Sequence, residues 1–116
     1  MAEHDCIFCR IAKEEVPADI VHENEQIVAF RDINPQAPVH VVVIPRKHIA
    51  SLAASSADDV ALLGEILKAA KEVAEKLDIQ ASGYRVVNNC GPDAQQSVQH
   101  IHFHVLGGRR LGWPPG

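Results

Sequence analysis

Near the end of the chain, His100, His102 and His104 alternate with Ile101, Phe103 and Val105. Successive side chains of an extended backbone point to opposite faces. The run therefore predicts a strand over residues 100–106, closed by Gly107-Gly108, with imidazoles on one face and apolar side chains on the other. The apolar face predicts packing on a core. Unpaired imidazoles are costly to bury, so the histidine face is expected to look into a cleft. Such a row can ligate a metal, act on a substrate, or simply face water. Three histidines in strict alternation disfavour the last use. Asn89, Gln96 and Ser97 precede the run in a polar stretch and offer neutral hydrogen-bonding groups suited to phosphate oxygens. They favour substrate chemistry over metal ligation alone. Imidazole is largely unprotonated near neutral pH and is a competent nucleophile.

The rest of the chain predicts a frame for that strand. Residues 9–15 read as a short helix ended by Pro17. Residues 20–22 and 26–31 read as two strands joined at Glu23-Asn24-Glu25. Residues 32–38 carry two prolines and the turn signal Asn34-Pro35. Residues 40–44 are β-branched and apolar, a buried strand ended by Pro45. Residues 58–77 predict the main helix, with Val60, Leu63, Leu67, Ala70, Ala74 and Leu77 on its buried stripe. Ser56 or Asp58 can cap it, and Lys68, Lys71, Glu72, Glu75 and Lys76 are expected to face water. Gly83 opens a strand through residue 88, and residues 89–97 form a polar loop. Strands and helices do not alternate regularly. This disfavours a parallel sheet and predicts an α+β fold, an antiparallel sheet with helices on one face.

The length of 116 residues fits one domain, residues 1–116. A net charge of −4 argues against broad nucleic-acid binding, which needs a basic surface. Arg109-Arg110 is too short to make one. No apolar run approaches membrane-spanning length, so no membrane partner is expected. The start, Met1-Ala2-Glu3-His4-Asp5, is polar and unlike a secretory signal. The cysteines are Cys6, Cys9 and Cys90, an odd set unlike a secreted disulfide framework. A cytoplasmic protein is expected. Aromatic residues are only 4% of the chain, so the core must rest on Val, Ile, Leu and Ala. Small chains often gain stability by oligomerising or binding a metal. Cys6-x-x-Cys9 by itself is compatible with two reduced thiols. Trp113, the sole tryptophan, either packs on something or belongs to a frayed end.

Several stretches together carry a resemblance. They are Ile7-Phe8, the run from Ala29 to His40 with Asp32-Ile33-Asn34-Pro35, Val43 to Ile49, Gly83-Tyr84-Arg85, Gln96 to Gly108, and Trp113-Pro114-Pro115-Gly116. Over nearly the whole chain the sequence resembles the histidine triad (HIT) superfamily, in its nucleotide-binding branch of bacterial type with an N-terminal C-x-x-C. The resemblance implies a HIT-like α+β fold, five antiparallel strands and two helices per subunit, with a ten-stranded sheet in a homodimer.

It also implies an activity, purine nucleoside phosphoramidase or nucleotidyl hydrolase. His102 would attack the α-phosphorus of a nucleoside 5′-phosphoramidate or acyl-nucleotide, and water would hydrolyse the nucleotidyl-histidine. His104 and Ser97 would bind the phosphate and assist the leaving amine. His40 and His100 would orient the site, and Asn89 and Gln96 would hold the phosphate region. Asp32, beside Ile33 and Asn34, would take the ribose hydroxyls. Ile7, Phe8, Ile11, Val16, Phe30 and Ile33 would line the base pocket, although each is equally suited to a core. Trp113 would reach the partner subunit's site. Cys6, Cys9, His48 and His100 would hold a structural Zn(2+), with no metal needed at the phosphorus. A dinucleoside polyphosphate hydrolase and a non-enzymatic nucleotide-binding adaptor stand as alternatives. One departure is local: Ala94-Gln95 stand where relatives commonly carry Gly-Gly, which limits the backbone freedom available to approach a phosphate.

Overall fold

The computed structural model describes residues 5–116. His4, to which the sequence assigns no role, lies outside the described residues. The strands are β1 (Ile20–Glu23), β2 (Ile27–Arg31), β3 (Val39–Pro45), β4 (Tyr84–Val87) and β5 (Phe103–Gly107), and the helices are α1 (Ile7–Ala12) and α2 (Val60–Lys76). The strands form one sheet in the order β1-β2-β3-β5-β4, with every neighbouring pair antiparallel. This is the expected α+β arrangement of five antiparallel strands with two helices.

The helices do not share a face of the sheet, as the sequence reading expected. On one face Ile27, Ala29, Val41, Val43 and Val105 pack with Leu62, Ile66, Ala70 and Val73 of α2. On the other, Val28, Phe30, Val42 and Ile44 pack with Cys6, Phe8, Cys9 and Ala12 at α1. The cause is visible in the strands. β3 is buried along nearly its whole length, and β2 is buried at four consecutive positions. A strand apolar on both faces needs cover on both.

The stripe on α2 is also rotated from the expected one. Leu62, Ile66, Ala69, Ala70, Val73 and Ala74 are buried, whereas Val60 is 65% and Leu67 52% exposed. Two apolar stripes run side by side on this helix, and packing against the sheet selects the one containing Ile66. Ser56 supplies the cap: its hydroxyl accepts from the Asp58 N–H, and Asp59 accepts from the Ser56 N–H in return. The helix enters through a 3-10 turn, Ala57–Asp59. Helix α1 starts earlier than expected because the Cys6 thiol caps it, accepting from the Cys9 N–H.

Strand β5 begins only at Phe103, so His100, Ile101 and His102 precede the ladder. The alternation of faces nevertheless holds. Ile101, Phe103 and Val105 meet the α2 core, leaving His102 and His104 toward α1. Among the described residues, no helix is long and apolar enough to cross a membrane.

Candidate active site and metal centre

The pairing of β3 with β5 sets Val42 opposite His104 and His40 opposite Leu106. His40 and His104 thus lie diagonally on neighbouring strands, with His40 Nε2 only 2.8 Å from His104 Nδ1. The backbone N–H of Gln36 donates to His40 Nδ1 at 3.0 Å. A neutral imidazole carries one N–H, so the proton of His40 sits on Nε2 and is donated to His104 Nδ1. The proton of His104 is left on its Nε2. Asp32 extends the chain of contacts, with Oδ2 3.4 Å from His40 Nε2. Its Oδ1 accepts from the Asn34 N–H, which shapes the turn.

His102 is set differently. Its Nδ1–H donates to the backbone carbonyl of His100 at 2.8 Å, leaving a lone pair on Nε2. Asn88 Nδ2 donates to the His102 carbonyl, and the Phe8 ring meets the imidazole edge to face, centroids 5.0 Å apart. The His102 and His104 rings are 5.2 Å apart. Burial lowers the pKa of His102, opposed by its bond to the His100 carbonyl and by Asp32. Burial also lowers His40, again opposed by Asp32. His104 is pushed down to about 4, first by burial and then by the neighbouring His102 and His40. Burial disfavours the charged form of each ring, so all three are neutral at pH 7. The cluster combines a free imidazole lone pair with an N–H donor, the pairing needed to attack an electrophile and stabilise what leaves.

Beside the histidines lies a cavity of about 340 Å³. Ile7, Phe8, Ile11, Phe30 and Ile33 line it together, with Asp32 and Ser97 at polar positions. Ile33 is fully exposed and Ile7 42% exposed, an uncovered apolar rim. Val42 and Val98 also line it, and the sequence reading missed both. Val42 could have been found, since it lies two residues from His40 on the same face. Val16 is a correction: it lines a separate cavity with Glu14, Glu15 and Pro17, because α1 ends before it. Asn89 Nδ2 donates to the Ala94 carbonyl. Gln96 accepts from the Gly91 N–H and donates to the carbonyls of Ala50 and Val98. Both side chains therefore staple the loop before the histidines. Asn34 acts through its backbone, bonded to Asp32 and Gln36. Trp113 is 82% exposed and lines no part of this cavity within one chain. Two further contributors were not expected: Gln36, whose backbone N–H donates to the His40 ring, and Asn88, whose side chain donates to the His102 carbonyl.

His100 corrects the expectation that all three alternating imidazoles share a cleft. It is fully buried, with Nε2 donating to the Pro45 carbonyl at 2.8 Å. That bond leaves the Nδ1 lone pair facing Cys6 Sγ and Cys9 Sγ, each at 3.4 Å. His48 Nδ1 lies 3.2 Å from Cys9 Sγ. The four ligand atoms of Cys6, Cys9, His48 and His100 are all within 4.8 Å of one another, and the cysteines are unbridged. A tetrahedral ion with Zn–N and Zn–S bonds of ordinary length spaces its ligand atoms by roughly 3.3–3.8 Å. Three contacts of the cluster, at 3.2–3.4 Å, lie at the short end of that spacing or just below it and the rest fall within 4.8 Å. The Pro45 carbonyl supplies the outer hydrogen bond that ligating imidazoles need. The group can therefore hold a metal ion. Asp32, His40 and His104 also converge, but a hydrogen bond already joins the two imidazoles. Cys90 is part-buried and belongs to neither group.

Residues 5–111 match the family described as scavenger mRNA decapping enzyme C-term binding. An uncharacterized HIT-like protein of Synechocystis is 51% identical over 116 residues, covering all of both chains. The chain belongs to the HIT-like family. Among solved HIT structures, a HIT family hydrolase from Legionella pneumophila is 50% identical with a TM-score of 0.94, covering 96% of this chain and 99% of that one. A histidine triad protein from Clostridium difficile is 39% identical with a TM-score of 0.93, covering 97% of each. The HIT fold and the C-x-x-C at its start are thus common ground between sequence and structure.

Proposed function

We propose that this chain is a nucleotide hydrolase, a purine nucleoside 5′-phosphoramidase acting at the α-phosphorus. The observation that carries the reading is His102: a neutral ring, pinned through Nδ1 with a lone pair left on Nε2, and packed against Phe8, which lines an apolar slot. A purine would lie in the slot against Phe8, Ile11, Phe30 and Ile33, covering the exposed apolar rim, and Asp32 would accept from the ribose hydroxyls. His102 Nε2 attacks phosphorus, forming a P–N bond as the bond to the leaving amine breaks. His104 Nε2–H and Ser97 bind the phosphate oxygens and assist the amine's departure. Water then hydrolyses the nucleotidyl-histidine, releasing nucleoside monophosphate and restoring the ring. The names of HIT hydrolase structures support the hydrolytic class. A turnover panel of adenosine and guanosine phosphoramidates against dinucleoside polyphosphates tests it. Rapid quench should trap the adduct on His102, and turnover confined to the polyphosphates would overturn the phosphoramidase reading.

The metal is zinc, structural, one per subunit, since two thiolates and two imidazoles converging on one point suit that ion. When bound, it would tie the N-terminal segment to the sheet. The chain works as a cytoplasmic homodimer, each copy one domain. Edge strand β1 is guarded by Lys76, whose ammonium donates to the Val21 carbonyl. The other edge, β4, carries exposed Tyr84 and Val86 and suits pairing with its copy into a ten-stranded sheet. Arg85 donates to the Gly112 carbonyl at 2.8 Å, holding the tail near that edge, where Trp113 can reach the partner's leaving-group region.

A further inference from the structure

His100 is common to both centres. Its ring faces the two cysteines, while its carbonyl accepts the Nδ1–H of His102. Residue 100 lies before β5 begins, so no strand ladder fixes it. Its surroundings hold it instead: the Pro45 carbonyl on Nε2, the cysteine cluster on Nδ1, and the neighbouring Ile101 N–H donated to the Ile49 carbonyl.

The same cysteines hold the slot. Helix α1 is six residues long, too short to persist without tertiary support. Cys6 caps it and Cys9 lies within it. Between them, Ile7 and Phe8 line the cavity, and Ile11 follows one turn later. Phe8 packs edge to face on both His100 and His102, with centroids 5.9 and 5.0 Å away. One cluster thus anchors the wall of the slot and the carbonyl that orients His102.

We propose that the metal held by Cys6, Cys9, His48 and His100 positions the nucleotide site: its occupancy sets nucleotide affinity and the orientation of His102. His100 is a positioning residue, linking the metal to His102 through its own backbone. The proposal rests on reading the slot as a nucleotide site. Its mechanical part, from metal to His102, does not need that reading.

The test compares full-length zinc-loaded protein with protein stripped by chelator and with stripped protein reloaded with one equivalent of zinc. Circular dichroism verifies the fold, calorimetry gives the affinity for GMP, and nitrogen-edited NMR follows the His102 Nδ1–H. Stripping should weaken GMP binding by about tenfold or more, within the range of site-to-site coupling, and broaden or erase the Nδ1–H signal. Reloading should restore both. A folded, stripped protein with unchanged affinity and an unchanged signal overturns the proposal. Where stripping costs the fold, zinc transfer from folded holoprotein to a chromophoric chelator replaces it, under conditions where transfer outpaces global unfolding. Release of the metal must loosen Cys6 and Cys9, and with them the slot wall carried by α1, so bound GMP should slow that transfer, and an unchanged rate overturns the coupling. If zinc-loaded protein binds no GMP at all, the nucleotide reading fails, while the NMR comparison still decides the link to His102.

Discussion

His100 and His102 are two residues apart and both buried, yet they have opposite duties. His100 donates through Nε2 to the Pro45 carbonyl and turns Nδ1 to the sulfurs. His102 donates through Nδ1 to the His100 carbonyl and keeps the lone pair on Nε2. On the proposed reading, the same side chain serves as ligand or nucleophile according to which nitrogen a backbone carbonyl engages. The surroundings complete the division. His100 sits among thiols and aromatic edges, whereas His102 sits among imidazoles beside an open slot.

The largest effect separating these duties is expected at His102. His102→Asn should lower turnover by about 10⁴-fold or more, as loss of a covalent nucleophile does. GMP affinity should change little, because the slot is untouched. Stopped assays with calorimetry measure both, and wild-type-like turnover would sink the covalent mechanism. Next in size is the thiol side of the metal cluster. Cys9→Ser should abolish stoichiometric zinc and lower Tm by roughly 10 °C or more, since structural metal binding contributes directly to folding. Elemental analysis and calorimetry check it. A variant that keeps both zinc and Tm would mean that Cys9 is an ordinary core thiol.

A smaller effect distinguishes the active-site imidazoles by pH. His104 has its folded pKa pushed down to about 4. A depressed folded value means the unfolded chain takes up its proton first as pH falls. The stabilisation is present above the ordinary value of 6.5, declines as pH falls below it, and is fully lost once pH passes the folded value. Urea unfolding at pH 7.5 and pH 5 should show wild type losing more stability than His104→Asn. Equal losses would contradict the depressed value.

The smallest effect lies in the loop before the histidines. Gln95 adopts φ 61°, a left-handed conformation that costs an L-residue more than glycine. Gln95→Gly should stabilise the fold by about 0.5 kcal/mol, the relief of strain exceeding the added freedom of the unfolded chain. Denaturant titration measures it, and clear destabilisation would show that the Gln95 side chain makes a contribution of its own.

Much was legible along the chain because it is local. The alternation at residues 100–105 follows from the pleat alone, and it placed Ile101, Phe103 and Val105 on the core. The cap at Ser56, on the 3-10 turn that leads into α2, followed from capping chemistry. Other features resisted for equally physical reasons. α2 carries two adjacent apolar stripes, and only the sheet decides which is buried, so Val60 and Leu67 were misplaced. The continuous apolar run of β3, Val41 to Ile44, itself implies cover on both faces. Val16 was misplaced because the helix ends three residues sooner than its pattern suggested.

The sequence by itself determined that this chain makes an antiparallel α+β sheet with a histidine row at its last strand, and through resemblance it nominated four candidate metal ligands. Periodicity, turns and caps act over a few residues, and the chain carries that information directly. Only the tertiary structure decided that α1 covers the face opposite α2, that Cys6 and His100 meet across 94 positions, and that Gln36 and Pro45 dictate where imidazole protons reside. Those outcomes depend on which backbone groups arrive beside a ring when distant segments pack, and local pattern cannot encode that.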